Sequence, residues 1–377
     1  MTLAGEYLMH VVHMQLQVRK YYYEKGKRSI EKMKRLGQKI KMAAGAVLLL
    51  FGLSACGNEA KTQTVTENAQ AKAAAEKTVI HQGVMSGNID HWISVIGKER
   101  GFFDKYGIEL EMTEFSSGVN TTDAVVTGQM DIGMLADYAV VNRLGNTQEN
   151  TELCIFSRFV KTRGDQNRLY VNADEVKELS DLAGKGFVTL PGTVWDYYAG
   201  VTFDQAGIPK EEQVLVNVDN TQAALGVMKS GDGVAFWASG TNARKLFEAG
   251  YQPILTADDL DMPTEQFYVA NRSYMKDNEE AIKNFIRAVR ETEEWISANK
   301  EEASKLVDEK INIPAEQFLE GFDSMELELS LKQESLKHLD AIKTWALSEG
   351  KFANDFDMRA FIDERILKEI APENVEF

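Results

Sequence analysis

Beyond residue 77 the chain alternates short apolar runs with stretches in which apolar residues return every three or four positions. Thr78–Met85 predicts a strand and Asp90–Arg100 a helix. Ile108–Phe115 alternates apolar and polar residues, as a half-buried strand does, and Val119–Thr127 returns to the helical period. The sequence goes on with a strand over Asp131–Leu135 and a helix over Tyr138–Leu144. Further along come the strands Gly186–Leu190, Val214–Val218 and Val234–Trp237, with helices Trp195–Gln205 and Gln222–Lys229 between them. Strand, helix, strand at this spacing predicts crossover units, hence an α/β protein with parallel-rich sheets flanked by helices. From residue 278 the character changes. Asn278–Ala298, Glu301–Lys310, Ala315–Phe322 and Leu331–Leu347 all carry helical periodicity with charged outer faces. About 300 residues exceed one comfortable core, so two lobes are expected.

The first 77 residues follow other rules. An apolar run of about 12 residues starts at Met42 and is too short for a membrane span, which takes roughly 20. Lys34, Arg35, Lys39 and Lys41 precede it, and Leu53-Ser54-Ala55-Cys56 ends it, the order of a secretory signal. Residues 1–32, with Tyr21-Tyr22-Tyr23 and scattered charge, fit no signal; Met33-Lys34-Arg35 makes a tidier start, so 1–32 reads as a mis-assigned start. Gly57 to about Lys77 is Ala, Gln, Thr, Glu, Asn and Lys with almost no bulky apolar side chain. Such a stretch cannot offset its ordering entropy by burial and reads as a tether.

Charge sharpens this division. The chain carries a net −16, and because residues 1–55 hold ten Lys/Arg against three Asp/Glu, the remainder carries −23. So acidic a body argues against a nucleic-acid partner. If Cys56 begins the mature protein, Cys154 is its one remaining thiol, and no intramolecular disulfide can form.

The segment ending at Cys56 resembles the lipobox of bacterial lipoproteins. That resemblance implies lipidation of Cys56, a signal region over 1–55 and a lipid-anchored flexible linker over 56–77. A second resemblance spans residues 78–377. Gly101-Phe102-Phe103-Asp104-Lys105-Tyr106-Gly107-Ile108-Glu109-Leu110 is similar to a segment of ABC-transporter substrate-binding proteins, in the branch that binds nitrate, sulfonates, taurine and thiamine pyrimidine precursors. Phe115-Ser116-Ser117-Gly118, Val126-Thr127-Gly128-Gln129-Met130-Asp131-Ile132-Gly133 and Leu179-Ser180-Asp181-Leu182-Ala183-Gly184-Lys185 follow in the family's order. So do Pro191-Gly192-Thr193, Leu225-Gly226-Val227-Met228-Lys229-Ser230-Gly231-Asp232-Gly233-Val234 and Gly350-Lys351-Phe352. The resemblance implies a two-lobed periplasmic-binding-protein-like fold of type II with a hinge between lobes. Lobe 1 would take 78–170 plus 269–377 and lobe 2 residues 171–268, with strand-like crossings near Leu169–Asn172 and Gln266–Asn271. It also implies a monomeric extracytoplasmic receptor, tied to the bacterial membrane, that closes over a small molecule and docks on a permease with separate ATPase subunits. A receptor for a signalling partner is the alternative, followed by an enzyme on the same fold.

Candidate ligand-binding residues follow from strand-to-helix junctions. Ser116, Ser117, Gly118 and Thr193 stand where a strand's carboxyl end meets a helix, and where backbone amides and the helix dipole favour negative charge; capping is their other reading. Gly107 and Gly128 fall where helices must stop. Asn88, His91 and Trp92 follow the first strand, Asp137 and Tyr138 the third; Trp195, Asp196 and Tyr197 follow the Pro-Gly-Thr turn, and Phe236 and Trp237 end a strand. Rings with a few polar groups suit a ligand pocket, and each ring is equally at home in a core. Asp137 and Asp196 either complement helix dipoles or receive an amino group of the ligand. The segments expected to line the cleft hold no Lys or Arg, and Arg158, Lys161 and Arg163 read as a solvated cluster. Anion, zwitterion and aminopyrimidine ligands all stay open.

Enzyme readings lack support. No Gly-x-Ser-x-Gly elbow, His-Glu-x-x-His helix, Cys-x-x-Cys pair or phosphate loop occurs. His81, His91 and His338 are scattered, so no metal is expected, and no cofactor.

Overall fold

The structure is a computed structural model that describes residues 77–377. The signal region, Cys56 and the linker up to residue 76 lie outside the described residues. The first lobe opens with β1 (Thr78–Met85), α1 (Ile89–Glu99), α2 (Phe102–Lys105), β2 (Ile108–Phe115), α3 (Gly118–Val126), β3 (Ile132–Ala136), α4 (Asp137–Thr147) and β4 (Leu153–Thr162). The chain then builds β5 (Arg168–Val171), β6 (Gly186–Thr189), α5 (Val194–Ala206), β7 (Val214–Asn217), α6 (Thr221–Ser230), β8 (Ala235–Ala238), α7 (Gly240–Glu248) and β9 (Gln252–Thr256). It returns through β10 (Thr264–Asn271), α8 (Arg272–Asp277), α9 (Glu279–Ala298), α10 (Lys300–Ile311), α11 (Ala315–Phe322), β11 (Met325–Ser330), α12 (Gln333–Ser348) and α13 (Arg365–Ile370).

Two sheets result, ordered β11-β4-β10-β3-β1-β2 and β7-β6-β8-β5-β9. Each combines a parallel block, β2-β1-β3 or β7-β6-β8, with antiparallel strands. The helical crossovers generate the parallel pairs. The antiparallel ones come from strands that change lobes or return.

Period-two alternation builds the second lobe. Leu169, Val171, Phe187 and Trp237 pack with Phe203 on one face, while Tyr170, Val188 and Phe236 pack with Leu225 and Leu246 on the other. Both faces are covered, so these strands are apolar throughout. In the first lobe the 20-residue α9 lays Ile282, Phe285, Ile286, Val289 and Ile296 on the sheet. Phe285 meets Tyr268 edge-on at 5.4 Å and Phe103 at 5.8 Å. Gly107 and Gly128 end α2 and α3 at φ +71° each, a left-handed geometry that costs glycine little.

The lobes are joined by residues 163–167 and 257–263. The segments expected as strand-like crossings, 169–172 and 266–271, are largely strand, β5 of the second sheet and β10 of the first, and the passages themselves lie just before them in the chain. Their β-branched and aromatic residues pair within a sheet, leaving the polar stretches beside them to make the passage. The two passages bind each other: Gly164 N–H donates to Asp258 Oδ1 at 2.7 Å, and Ala257 N–H to the Asn167 carbonyl at 3.0 Å. A Cβ on Gly164 would sit 2.5 Å from the Asp258 nitrogen, so this approach requires glycine. Arg158 is not solvated. It is buried on β4 and pairs with Glu265 at 3.2 Å, Glu326 at 2.7 Å and Glu328 at 2.9 Å.

Candidate ligand-binding site

β1, β2, β6, β7 and β8 all end towards the space between the sheets, and each is followed there by a helix N-terminus: α1, α3, α5, α6 and α7 respectively. In open α/β sheets this end gathers ligands. The space is a cavity of about 610 Å³ lined from both lobes. Asn88 stands at the N-cap position of α1 without a side-chain capping bond and donates through Nδ2 to Gln266 Oε1 and to Asp90 Oδ1, both at 2.8 Å. Ser117 Oγ accepts from the Asn120 amide at 3.3 Å, and Ser116 Oγ accepts from Asn120 Nδ2 at 2.9 Å. Gly118 lies so close to β3 that a Cβ would stand 2.8 Å from Met134 Sδ. Across the cavity, Thr193 Oγ1 donates to the Leu190 carbonyl at 2.8 Å, and Asn220 caps α6 by accepting from the Ala223 amide at 2.9 Å.

Of the residues expected at the site, Asn88, Trp92, Ser116, Ser117, Gly118, Thr193 and Trp195 line this cavity. The Trp92 indole is held by a bond from Nε1 to the Gly87 carbonyl at 3.0 Å. The other seven lie behind its wall. Trp237 is fully buried, with Nε1 donating to Thr202 Oγ1 at 3.0 Å, and Phe236 is buried on the opposite face of the same strand. His91 is buried, its Nδ1 accepting from the Gly87 amide at 3.2 Å. Burial pulls its pKa down against the opposing pull of Glu114.

The two carboxylates expected to receive an amine are occupied by protein donors. Asp137 Oδ2 accepts from Glu265 N–H at 3.0 Å and from His338 Nε2 at 2.8 Å. Burial opposes the charge on His338, yet its bond to Asp137 raises its pKa above 6.5. Asp196 spans the lobes: Oδ1 accepts from Lys351 Nζ at 2.9 Å, and Oδ2 from the Tyr138 hydroxyl at 3.1 Å. Beside it Tyr197 stacks on Tyr138 at 5.4 Å and meets Trp345 edge-on at 4.8 Å. Trp345 Nε1 reaches Asp204 Oδ2 at 2.9 Å. These residues hold α5 of the second lobe against α4 and α12 of the first.

Charge in the cavity differs from expectation. Arg168 and Arg244 both line it, as do Asp219 and Glu320. Arg244 pairs with Glu320 at 3.4 Å, and Thr241 Oγ1 donates to Gln317 Oε1 at 2.8 Å, so α7 meets α11 at the rim. Asp90, buried beneath Asn88, is pushed up to about 7 by desolvation despite bonds from the Met85 amide and Asn88. Strand alternation would have signalled Arg168, which shares the Tyr170 side of β5; Arg244 carries no such local signal.

The family model described as NMT1/THI5 like matches residues 88–303, more than half of the chain and most of the cavity wall. The chain belongs to the NMT1/THI5-like family. Relatives of known name are distant. A candidate binding protein of Brucella abortus is 22% identical over 221 residues, 57% of this chain and 66% of that protein. The chain thus spans just under two thirds of such relatives. The bicarbonate-binding protein CmpA of Synechococcus is 22% identical over 289 residues, 70% of this chain and 61% of that one. Among solved structures, the periplasmic aliphatic sulphonate binding protein SsuA of Escherichia coli superposes with a TM-score of 0.64 at 16% identity, over 76% of this chain and 97% of that one. At that identity the superposition establishes the family's two-lobed, periplasmic-binding-protein fold and nothing about ligand.

Proposed function

We propose that the protein is an extracytoplasmic solute receptor of an ABC importer. The observation that carries this reading is the cavity of about 610 Å³, enclosed by strand ends and helix N-termini of both lobes. A molecule held there touches both lobes at once, so it favours the closed arrangement by its differential contacts. The closed form would dock on a permease, with ATP hydrolysis supplied by separate ATPase subunits. Ligands of named relatives, a sulphonate and bicarbonate, make a small acid a reasonable class, and taurine, nitrate and aminopyrimidines complete the set to try. The protein would act as a binder, not a catalyst, and as a monomer.

Thermal unfolding of the full chain in detergent, against alkane- and arylsulfonates, taurine, nitrate, bicarbonate and aminopyrimidines, tests this reading. A native-state ligand at 100 times its Kd stabilises by about 2.7 kcal/mol, a readable rise in Tm. A shift confined to one chemical group supports the receptor, while consumption of the compound on incubation would make the protein an enzyme. The anchor is tested separately. Labelling with a radioactive fatty acid should mark the wild type and not Cys56→Ala, and equal labelling of both contradicts lipidation at Cys56.

A further inference from the structure

Arg168 occupies a position that topology selects. β5 runs antiparallel to β8, pairing Arg168 with Ala238, so its side chain stands at the carboxyl ends of β6 and β8 and next to Ser239, which precedes α7. Leu169 and Val171 turn to one core of the second lobe, which leaves Arg168 on the Tyr170 side, and both line the cavity. Nε donates to the Asp165 carbonyl at 3.1 Å, which fixes the plane of the guanidinium. No carboxylate of the described residues lies within ion-pair distance of it. The other arginine of the wall, Arg244, is already paired with Glu320. A guanidinium presents five N–H donors in a rigid fork that matches a carboxylate or sulfonate, and four of these five remain for a ligand.

The rest of the wall is unlike an inorganic-ion site. Trp92, Trp195, Tyr170, Met85, Met134 and Leu190 supply rings and flexible apolar chains. A volume of about 610 Å³ falls in the range that buries organic ligands, roughly 300–1,000 Å³. We infer that Arg168 reads ligand charge, and that the ligand is an organic acid whose acidic group meets Arg168 while an apolar or aromatic body fills the wall opposite. This rests on the receptor reading above and narrows it.

The test pairs acids with uncharged isosteres. Benzoate, benzenesulfonate, hexanoate and hexanesulfonate are titrated calorimetrically into the full chain beside the matching amides and sulfonamides, with nitrate and an aminopyrimidine as further arms. Acids should bind at least about tenfold more tightly than their amides, the step that 1.4 kcal/mol represents. In Arg168→Gln that preference should vanish with the Tm of the free protein unchanged, and Arg168→Lys should restore part of it. Three results overturn the inference and leave the receptor standing: amides binding as well as acids, Arg168→Gln keeping the preference, or saturation by nitrate or the aminopyrimidine with no organic acid bound. Binding by none of the probes contradicts the inference and the receptor reading together.

Discussion

Trp195 and Trp237 look alike in sequence, and the structure gives them different work. Both follow or end apolar strands of the second lobe, but Trp195 lines the cavity while Trp237 has no exposed surface. Truncating a buried Trp to Ala costs about 3–5 kcal/mol in lost contacts and residual cavity. Trp237→Ala should therefore lower the denaturant midpoint strongly. Trp195→Ala should change ligand affinity with a much smaller loss of stability. Equal destabilisation by both would contradict this placement. Asp90 permits a second prediction at the same scale. Its folded pKa, about 7, lies above the ordinary carboxylate value of 3.8 because burial penalises the charge. The stability it contributes is thus complete below pH 3.8 and lost as pH rises through about 7. His338, raised above 6.5 by Asp137, adds a loss in the same direction at higher pH. Unfolding free energy from denaturant melts should fall across pH 4–7, and Asp90→Asn should flatten that fall; an unchanged slope contradicts it.

At the scale of elements, α5 is the joint between lobes. Asp196 binds Lys351 and the Tyr138 hydroxyl across it, and Trp345 covers Gly200, where a Cβ would lie 2.5 Å from the indole. Asp196→Ala strips a half-buried ammonium and a buried hydroxyl of their acceptor, and the buried hydroxyl alone sets a loss of about 1–3 kcal/mol. It should lower Tm and enlarge the radius of gyration in small-angle scattering. A variant with wild-type Tm and radius would show that this contact does not hold the lobes. Much of the element pattern was legible in sequence. β1, β2, β6 and β7 match their expected runs within a residue, since alternation or a short apolar run bounded by turn residues marks each. β4, by contrast, is buried along its first eight residues yet carries Ser157 and Arg158, and this interrupts its apolar pattern. β9, β11 and α7 were not expected either; α7 begins Gly240-Thr241-Asn242, which reads as loop. The junction residues Asn88, Ser116, Ser117 and Thr193 could be found because each stands at a strand-to-helix junction, a local feature, although only Ser117 makes a side-chain capping bond. Which aromatics face the cavity, and that Arg244 does, depends on strand pairing and helix docking that no short window encodes.

Across the whole molecule, two lobes present the same feature, strand ends followed by helix N-termini, to one space. The passages at 163–167 and 257–263 join the lobes, and at Gly164 they pack so closely that a Cβ would lie 2.5 Å from the Asp258 nitrogen. Gly164→Val, which forces them apart, should weaken ligand binding while each sheet stays folded, seen as reduced affinity with native far-UV circular dichroism. A receptor of this kind holds one small molecule with both lobes at once. Hydrogen-exchange mass spectrometry, with and without the panel compound giving the largest thermal shift, tests it most directly. Protection should appear in both lobes together, around residues 86–89 and 116–119 of the first and 192–195 and 239–242 of the second. Protection confined to one lobe, or lying away from the cavity, would contradict it.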